Sequence, residues 1–141
     1  MIQIIQNGLT PDIYRSVRAT VNMKSFKEQD VKKALDHTLF SVVVTRDGQP
    51  VGIGRVEGDG CVAFFIKDVV VIPEMQGQGI GFKVMEELMG YIRGEGAANA
   101  YVGLMASKGK EGFYKKFGFH VRPCDNEGSG MTQYMDERTY Q

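Results

Sequence analysis

Two hydrophobic periodicities divide the chain. From Ile80 onward apolar residues recur at every fourth position, Ile80, Val84, Leu88 and Ile92, with Met85 and Met89 beside them. That stripe predicts an amphipathic helix ending near Gly94 and Gly96, its methionines serving as core packing. Upstream the pattern is of β-branched runs. Residues 40–45 and 51–56 predict strands, and the intervening Arg46-Asp47-Gly48-Gln49-Pro50 predicts a hairpin, since glycine tolerates positive φ. Glu57-Gly58-Asp59-Gly60 then turns the chain into the apolar stretch 61–72, which completes an antiparallel meander.

The flanks are read from caps. Ile2-Gln3-Ile4-Ile5 predicts a short strand, and Thr10-Pro11 supplies an N-cap followed by a proline at the first helical position. Ser25-Phe26-Lys27-Glu28 has capping-box spacing, so two helices are expected within 12–37. After the long helix, 100–105 predicts a strand and 110–117 a helix. Residues 119–122 and 131–135 then predict a closing pair of strands. The order describes an α+β fold: a central mixed, mostly antiparallel sheet with helices packed on both faces. The strand–helix–strand unit would set parallel strands side by side and leave the helix N-terminus at the sheet's C-terminal edge.

Composition narrows the classes. A chain of 141 residues without a repeat or linker reads as one domain, 1–141. Lys plus Arg and Asp plus Glu number 17 each, leaving no positive excess to neutralise a nucleic-acid backbone. No apolar run is long enough for a membrane span and no basic-then-apolar leader is visible, so a cytoplasmic location is the default expectation. Cys61 and Cys124 lack CxxC spacing and read as free thiols, while His37 and His120 stand apart in sequence, so no metal site is expected.

The candidate chemistry lies where the third strand of the meander hands over to the long helix. In Gln76-Gly77-Gln78-Gly79-Ile80-Gly81 the glycines let the backbone turn tightly and approach a ligand. The first helical N–H groups and the helix dipole favour an anion there, and a diphosphate fits. The Walker pattern fails because Gly81-Phe82-Lys83 lacks a Gly-Lys-Ser/Thr ending. The dinucleotide fingerprint fails because Phe82 stands where its last glycine belongs.

Val71-Ile72-Pro73-Glu74-Met75-Gln76-Gly77-Gln78-Gly79-Ile80-Gly81 resembles the Gln/Arg-x-x-Gly-x-Gly/Ala signature of the GCN5-related N-acetyltransferase (GNAT) superfamily. Gly112-Phe113-Tyr114-Lys115-Lys116-Phe117-Gly118-Phe119 is similar to the same family's Phe-Tyr-x-Lys-x-Gly-Phe segment. The resemblance implies the acyl-CoA N-acyltransferase fold and acetyl-CoA as cosubstrate. The main chain of Val69, Val70 and Val71 would pair with the pantetheine arm, and amides of Gln76, Gly77, Gln78, Gly79, Ile80 and Gly81 would hold the pyrophosphate. Where many members carry an Asn that contacts CoA, this chain has Lys108, Gly109 and Lys110, so Lys110 is assigned an electrostatic contact with the cofactor's phosphates.

Acetyl transfer needs a deprotonated amine, a polarised carbonyl and a proton for the departing thiolate. Tyr114 matches the family tyrosine that donates to the CoA sulfur; a phenol of pKa about 10 suits a thiolate leaving group of about 8.5–9. Asp68, in Ile66-Lys67-Asp68-Val69, resembles the Asp-bearing strand of glucosamine-phosphate acetyltransferases, although Lys67 replaces their Glu. Asp68 is the candidate base through an ordered water, with a capping or ion-pairing role as the alternative. Glu57 is a second candidate against the reading of a solvated turn carboxylate, and His120 reads as structural. Acceptor selection is assigned to 23–38 and 122–130. The implied function is transfer of an acetyl group to a primary amine of a small molecule, directly within a ternary complex. The alternatives are a protein or peptide acceptor, or a non-catalytic acyl-CoA sensor. A homodimer would accord with the family.

Overall fold

The computed structural model describes residues 1–135. It divides into two compact units, Met1–Leu104 and Met105–Gln141. The first unit opens with strand β1, Ile2–Gln6, and two helices, α1 at Pro11–Ala19 and α2 at Glu28–Asp36. Thr10 caps α1 as its sequence implies, its hydroxyl accepting from the Ile13 N–H at 3.2 Å. The capping box expected before α2 does not form. The N-cap is Lys27, without a side-chain bond, and Glu28 is already the first helical residue, too early to reach back to Ser25.

Strands β2 (Phe40–Arg46), β3 (Gln49–Gly58) and β4 (Ala63–Val71) form the expected meander. Only Asp47 and Gly48 remain between β2 and β3, with φ of 49° and 81°, the left-handed pair that a two-residue hairpin requires. The second turn is held by Asp59, whose Oδ1 accepts from the N–H groups of Cys61, Val62 and Ala63 at 2.8, 2.8 and 3.0 Å. A single 3-10 turn, Pro73–Met75, leads to helix α3, Ile80–Glu95, and then to strand β5, Tyr101–Leu104. The sheet runs β1-β2-β3-β4-β5, antiparallel except that β5 lies parallel to β4.

Register sorts the two faces. Val43 pairs with Ile53, and both cluster with Val17 of α1 and with Val70. On the opposite face Val42 and Val44 pair with Gly54 and Gly52, over which α3 lies. A Cβ at Gly54 would stand 2.6 Å from Val84 Cγ1, and one at Gly52 would stand 2.7 Å from Ile80 Cγ2. These two glycines form a notch that lets the helix approach the backbone of β3. Val84, Met85 and Leu88 are completely buried there, as the four-residue periodicity implies.

The pairing of β3 with β4 slips by one residue between Ile53 and Arg55. Ile53 faces Val70 and Arg55 faces Lys67, so Asp68 and Val69 together oppose Gly54 in a β-bulge. The extra residue inverts the alternation along β4. Phe64 and Ile66 share the α3 face, whereas Val70 joins the α1 face.

The second unit contains one short helix, α4, Glu111–Lys115. The strands expected at 119–122 and 131–135 are absent among the described residues. The chain there instead makes a tight turn closed by reciprocal backbone bonds between Cys124 and Glu127, with Asp125 at φ 42°. Met131 and Met135 are 88% and 73% exposed, so the segment has no apolar face to seal against a sheet.

Candidate functional site

Two features of the first unit adjoin one another along the chain. On its outer side β4 is paired with β5 only from Ala63↔Tyr101 to Ile66↔Leu104. No strand covers the remainder, which includes Val69, Val70 and Val71, on that side among the described residues. Their side chains pack, Val70 fully, while the strand edge offers backbone groups to an extended ligand. The Val71 carbonyl already accepts from Gln76 Nε2 at 3.0 Å, which ties the following loop back to the strand end.

That loop then presents the α3 N-terminus. Gly77 and Gly79 have φ of 79° and 81°, and a Cβ at either would meet no atom within 4 Å. The glycines are therefore required by backbone conformation, and the space beside them is open. Gly79 is the N-cap of α3 and contributes no side-chain bond to the orphan N–H groups of the first turn. Gln76, Gly77, Gln78 and Gly79 are exposed, Gly81 is half-buried and Ile80 anchors the turn in the core. Open amides at the start of a 16-residue helix suit an anion, and the unpaired β4 edge just upstream suits an amide-containing arm.

Asp68 turns to the α1 face at the bulge, in the left-handed conformation with φ 57°. Its carboxylate, 1% exposed, accepts from Arg55 Nε at 2.7 Å, and Arg18 Nε of α1 lies 3.2 Å from the other oxygen, off the hydrogen-bonding axis. The ion-pair alternative for Asp68 is thus the arrangement adopted. Burial alone would weaken the Arg55 charge, but the bond and charge of Asp68, followed by Glu57, more than offset it and raise its pKa. Glu57 is not the solvated turn carboxylate that its sequence position implies. It takes a hydrogen bond from Thr38 Oγ1 at 2.7 Å and pairs with Arg55 Nη1. Arg18 also donates to the Tyr14 hydroxyl at 2.8 Å, and its guanidinium lies against Phe26 at 5.3 Å from the ring centre. Burial, then the Asp68 charge, raises the Tyr14 phenol. This network was invisible to sequence reasoning, since only the residue types, and not the register joining 18, 55 and 68, can be seen there.

A cleft of about 330 Å³ opens beside this network, lined by Asn7, Leu9, Leu35, Thr38, Leu39 and Ser41. Thr38 belongs to both. Of the segments assigned to acceptor selection, 23–38 therefore supplies Leu35 and Thr38 to the cleft and Phe26 to Arg18.

In the second unit Tyr114 is half-buried within α4, its ring 5.0 Å from Phe113 and 6.4 Å from Phe119. Burial raises its phenol above the ordinary value. Lys110 is exposed immediately before α4, and its carbonyl accepts from the N–H groups of Phe113 and Tyr114. His120 and Cys124, in the same short segment of chain, are joined by the turn through one carboxylate: both bond to Glu127 Oε1, at 2.5 and 3.3 Å. Ligand-capable atoms of these three residues lie within 4.8 Å of one another, a juxtaposition that the sequence did not suggest. The Glu127 bond, ahead of burial, raises the Cys124 thiol. Cys61 is a free, exposed thiol.

Comparison with known proteins agrees with this geometry. Residues 37–121 match the model of the acetyltransferase (GNAT) domain, a span that crosses both units. Serotonin N-acetyltransferase 2, chloroplastic, of Oryza sativa is 36% identical over 138 residues, covering 95% of this chain and 67% of that protein. GCN5-related N-acetyltransferase 1, chloroplastic, of Arabidopsis thaliana is 35% identical over 123 residues, covering 86% of this chain and 61% of that protein. A solved GNAT family acetyltransferase of Streptococcus pneumoniae superposes with a TM-score of 0.78 at 27% identity, over 97% of this chain and 100% of that one. With the β4 edge, the glycine cradle and the domain match in agreement, the chain belongs to the GNAT family of N-acetyltransferases.

Proposed function

We propose that the protein transfers the acetyl group of acetyl-CoA to the primary amine of a small molecule, by direct attack within a ternary complex. The observation that carries the reading is the continuity of the unpaired β4 edge with the uncapped α3 N-terminus. Pantetheine would add to Val69, Val70 and Val71 like a strand, and the pyrophosphate would be held by amides of residues 76–81. In the reaction the neutral amine nitrogen attacks the thioester carbonyl and the C–S bond breaks. The nitrogen proton passes to solvent, and Tyr114 supplies the proton taken by the CoA thiolate. Burial favours the neutral phenol, the form an acid requires.

A small acceptor is supported by the cleft, a space of about 330 Å³ whose exposed lining is mainly polar and includes Asn7, Thr38 and Ser41. The name of the rice relative points to an amine of the same class, an aromatic ring on a short alkylamine. Direct transfer is supported by the thiols. Cys124 is held as a neutral thiol by its bond to Glu127, which disfavours an acyl-enzyme. One domain over 1–141, acting in the cytoplasm, is part of the same proposal.

The test is release of free CoA thiol with a panel of arylalkylamines, aliphatic diamines and lysine- or N-terminal peptides. Turnover with small amines and none with peptides is expected. Turnover with peptides alone would replace the small-molecule reading. Absence of any thermal shift with acetyl-CoA would remove the enzymatic one.

A further inference from the structure

We infer that Arg55 and Arg18 are positioning residues that hold the β4 bulge in its ligand-binding shape through Asp68, so that the Asp68 carboxylate acts on the backbone and does not take a proton from the acceptor. The inference rests on the proposed acetyl-CoA site and adds to it what fixes the strand edge.

The argument begins with what the bulge must overcome. In an unbroken strand the side chain of residue 68 would continue the alternation of Phe64 and Ile66 and point into the α3 face, among Val84 and Leu88. A carboxylate there would be buried without a partner. The inserted residue turns it to the other face, at the cost of a left-handed backbone at a non-glycine position. What makes the strained arrangement the favoured one is the pair of guanidiniums waiting there. Arg55 comes from β3 and donates at 2.7 Å, and Arg18 comes from α1 at 3.2 Å. Both are themselves buried, with side chains 10% and 9% exposed, so each arginine needs Asp68 as much as Asp68 needs them.

The consequence falls on the ligand. Val69 belongs to the bulge and residues 70 and 71 follow it directly, so the backbone direction of 69–71 along the free edge is set by whether the extra residue stays at 68. Arg55 is in turn fixed by Glu57 and Thr38, and Thr38 lines the cleft. Side chains from α1, β3 and the acceptor side therefore converge on one backbone conformation, with the bulge as their shared output.

Conformation and charge are separable here because glycine adopts φ near +57° without a side-chain partner and alanine does not. In the whole 141-residue chain, Asp68→Gly should retain at least tenfold more kcat/KM for acetyl-CoA than Asp68→Ala. Arg55→Met should lower kcat/KM for acetyl-CoA at least tenfold, while ADP, a probe of the pyrophosphate cradle alone, binds within twofold of its wild-type affinity. Arg55→Lys should recover part of the loss. Equal collapse of Asp68→Gly and Asp68→Ala, each still showing a cooperative unfolding transition, would overturn the inference by making the carboxylate itself the reacting group. So would parallel loss of ADP and acetyl-CoA binding in Arg55→Met, or an Arg55→Met enzyme within twofold of wild type. Failure of the wild-type protein to bind acetyl-CoA would instead overturn the proposed function, and the two failures are told apart by that control.

Discussion

Replacing Gly79 by alanine tests the cradle with the fewest side effects. At φ 81° an L-residue pays about 1–2 kcal/mol, and since nothing lies within 4 Å of the new Cβ, no packing term is added. The folded state either bears that cost or relaxes the loop and rotates the amides of the α3 N-terminus. In the first case the melting temperature should fall by about 3–6 °C, at about 3 °C per kcal/mol for a chain of this size. In both cases the methyl group enters the open space proposed for the pyrophosphate. Loss of one charge-assisted hydrogen bond, about 1.5–3 kcal/mol, weakens acetyl-CoA binding about 10- to 150-fold. Gly90→Ala is the internal control. It sits exposed in the interior of α3, again with nothing within 4 Å, and should stabilise the protein by about 0.5–1 kcal/mol without changing affinity. Calorimetric titration with acetyl-CoA, paired with thermal unfolding of both variants, reads out all four quantities. A Gly79→Ala protein that melts lower yet binds acetyl-CoA within twofold of wild type would refute the assignment of the cradle to the pyrophosphate.

Further outcomes follow from the second unit and from the turn before β4. Tyr114→Phe should lower kcat at least tenfold while leaving the dissociation constant of acetyl-CoA unchanged. Because burial raises the phenol above its ordinary value near 10, wild-type kcat should show no loss of the acid form up to that pH; an alkaline limb below it that vanishes in Tyr114→Phe would contradict the raised phenol, and an unchanged kcat in that variant would refute the role. Asp59 is held below the usual carboxylate range by the backbone N–H of Cys61, then Ala63 and Val62. Its folded pKa lies under its unfolded one, so the unfolded chain binds more protons between the two, and the stabilisation is present above about pH 4 and lost as pH falls further. Chemical denaturation from neutral to acid pH should accordingly show a shallower acid slope in Asp59→Ala than in wild type. Identical slopes would rule out this turn as an acid-labile point.

The elements set by local chemistry were legible in the sequence. Thr10-Pro11 starts a helix, Asp47-Gly48 turns a hairpin, and the apolar stripe of 80–92 buries against a sheet, because each depends on residues within one turn of each other. The glycine cradle was legible for the same reason. The bulge was not. Between Ala63 and Val71 apolar residues occupy both faces, so the pattern carries no phase to interrupt, and a left-handed aspartate leaves no mark in sequence. The ion pairs of Glu57 and Asp68 join residues up to 50 positions apart, from 18 to 68, and depend on a register that no local signal encodes. The missing strands at 119–122 and 131–135 reflect the converse: β-propensity was present, but it counts only beside a partner strand.

The notch in β3 sets the α3 N-terminus from the inside. Gly52 lies beneath Ile80, the first residue of α3 and the last firm anchor of the cradle before it opens to solvent. The height at which the helix rides above the sheet, and with it the reach of its leading amides, is thus set by a side chain that is absent. A methyl group added at that floor would act as a shim, tilting the front of the helix without touching the ligand. If the proposed cradle holds acetyl-CoA, its affinity would then respond to hidden volume while every exposed contact stands as it is.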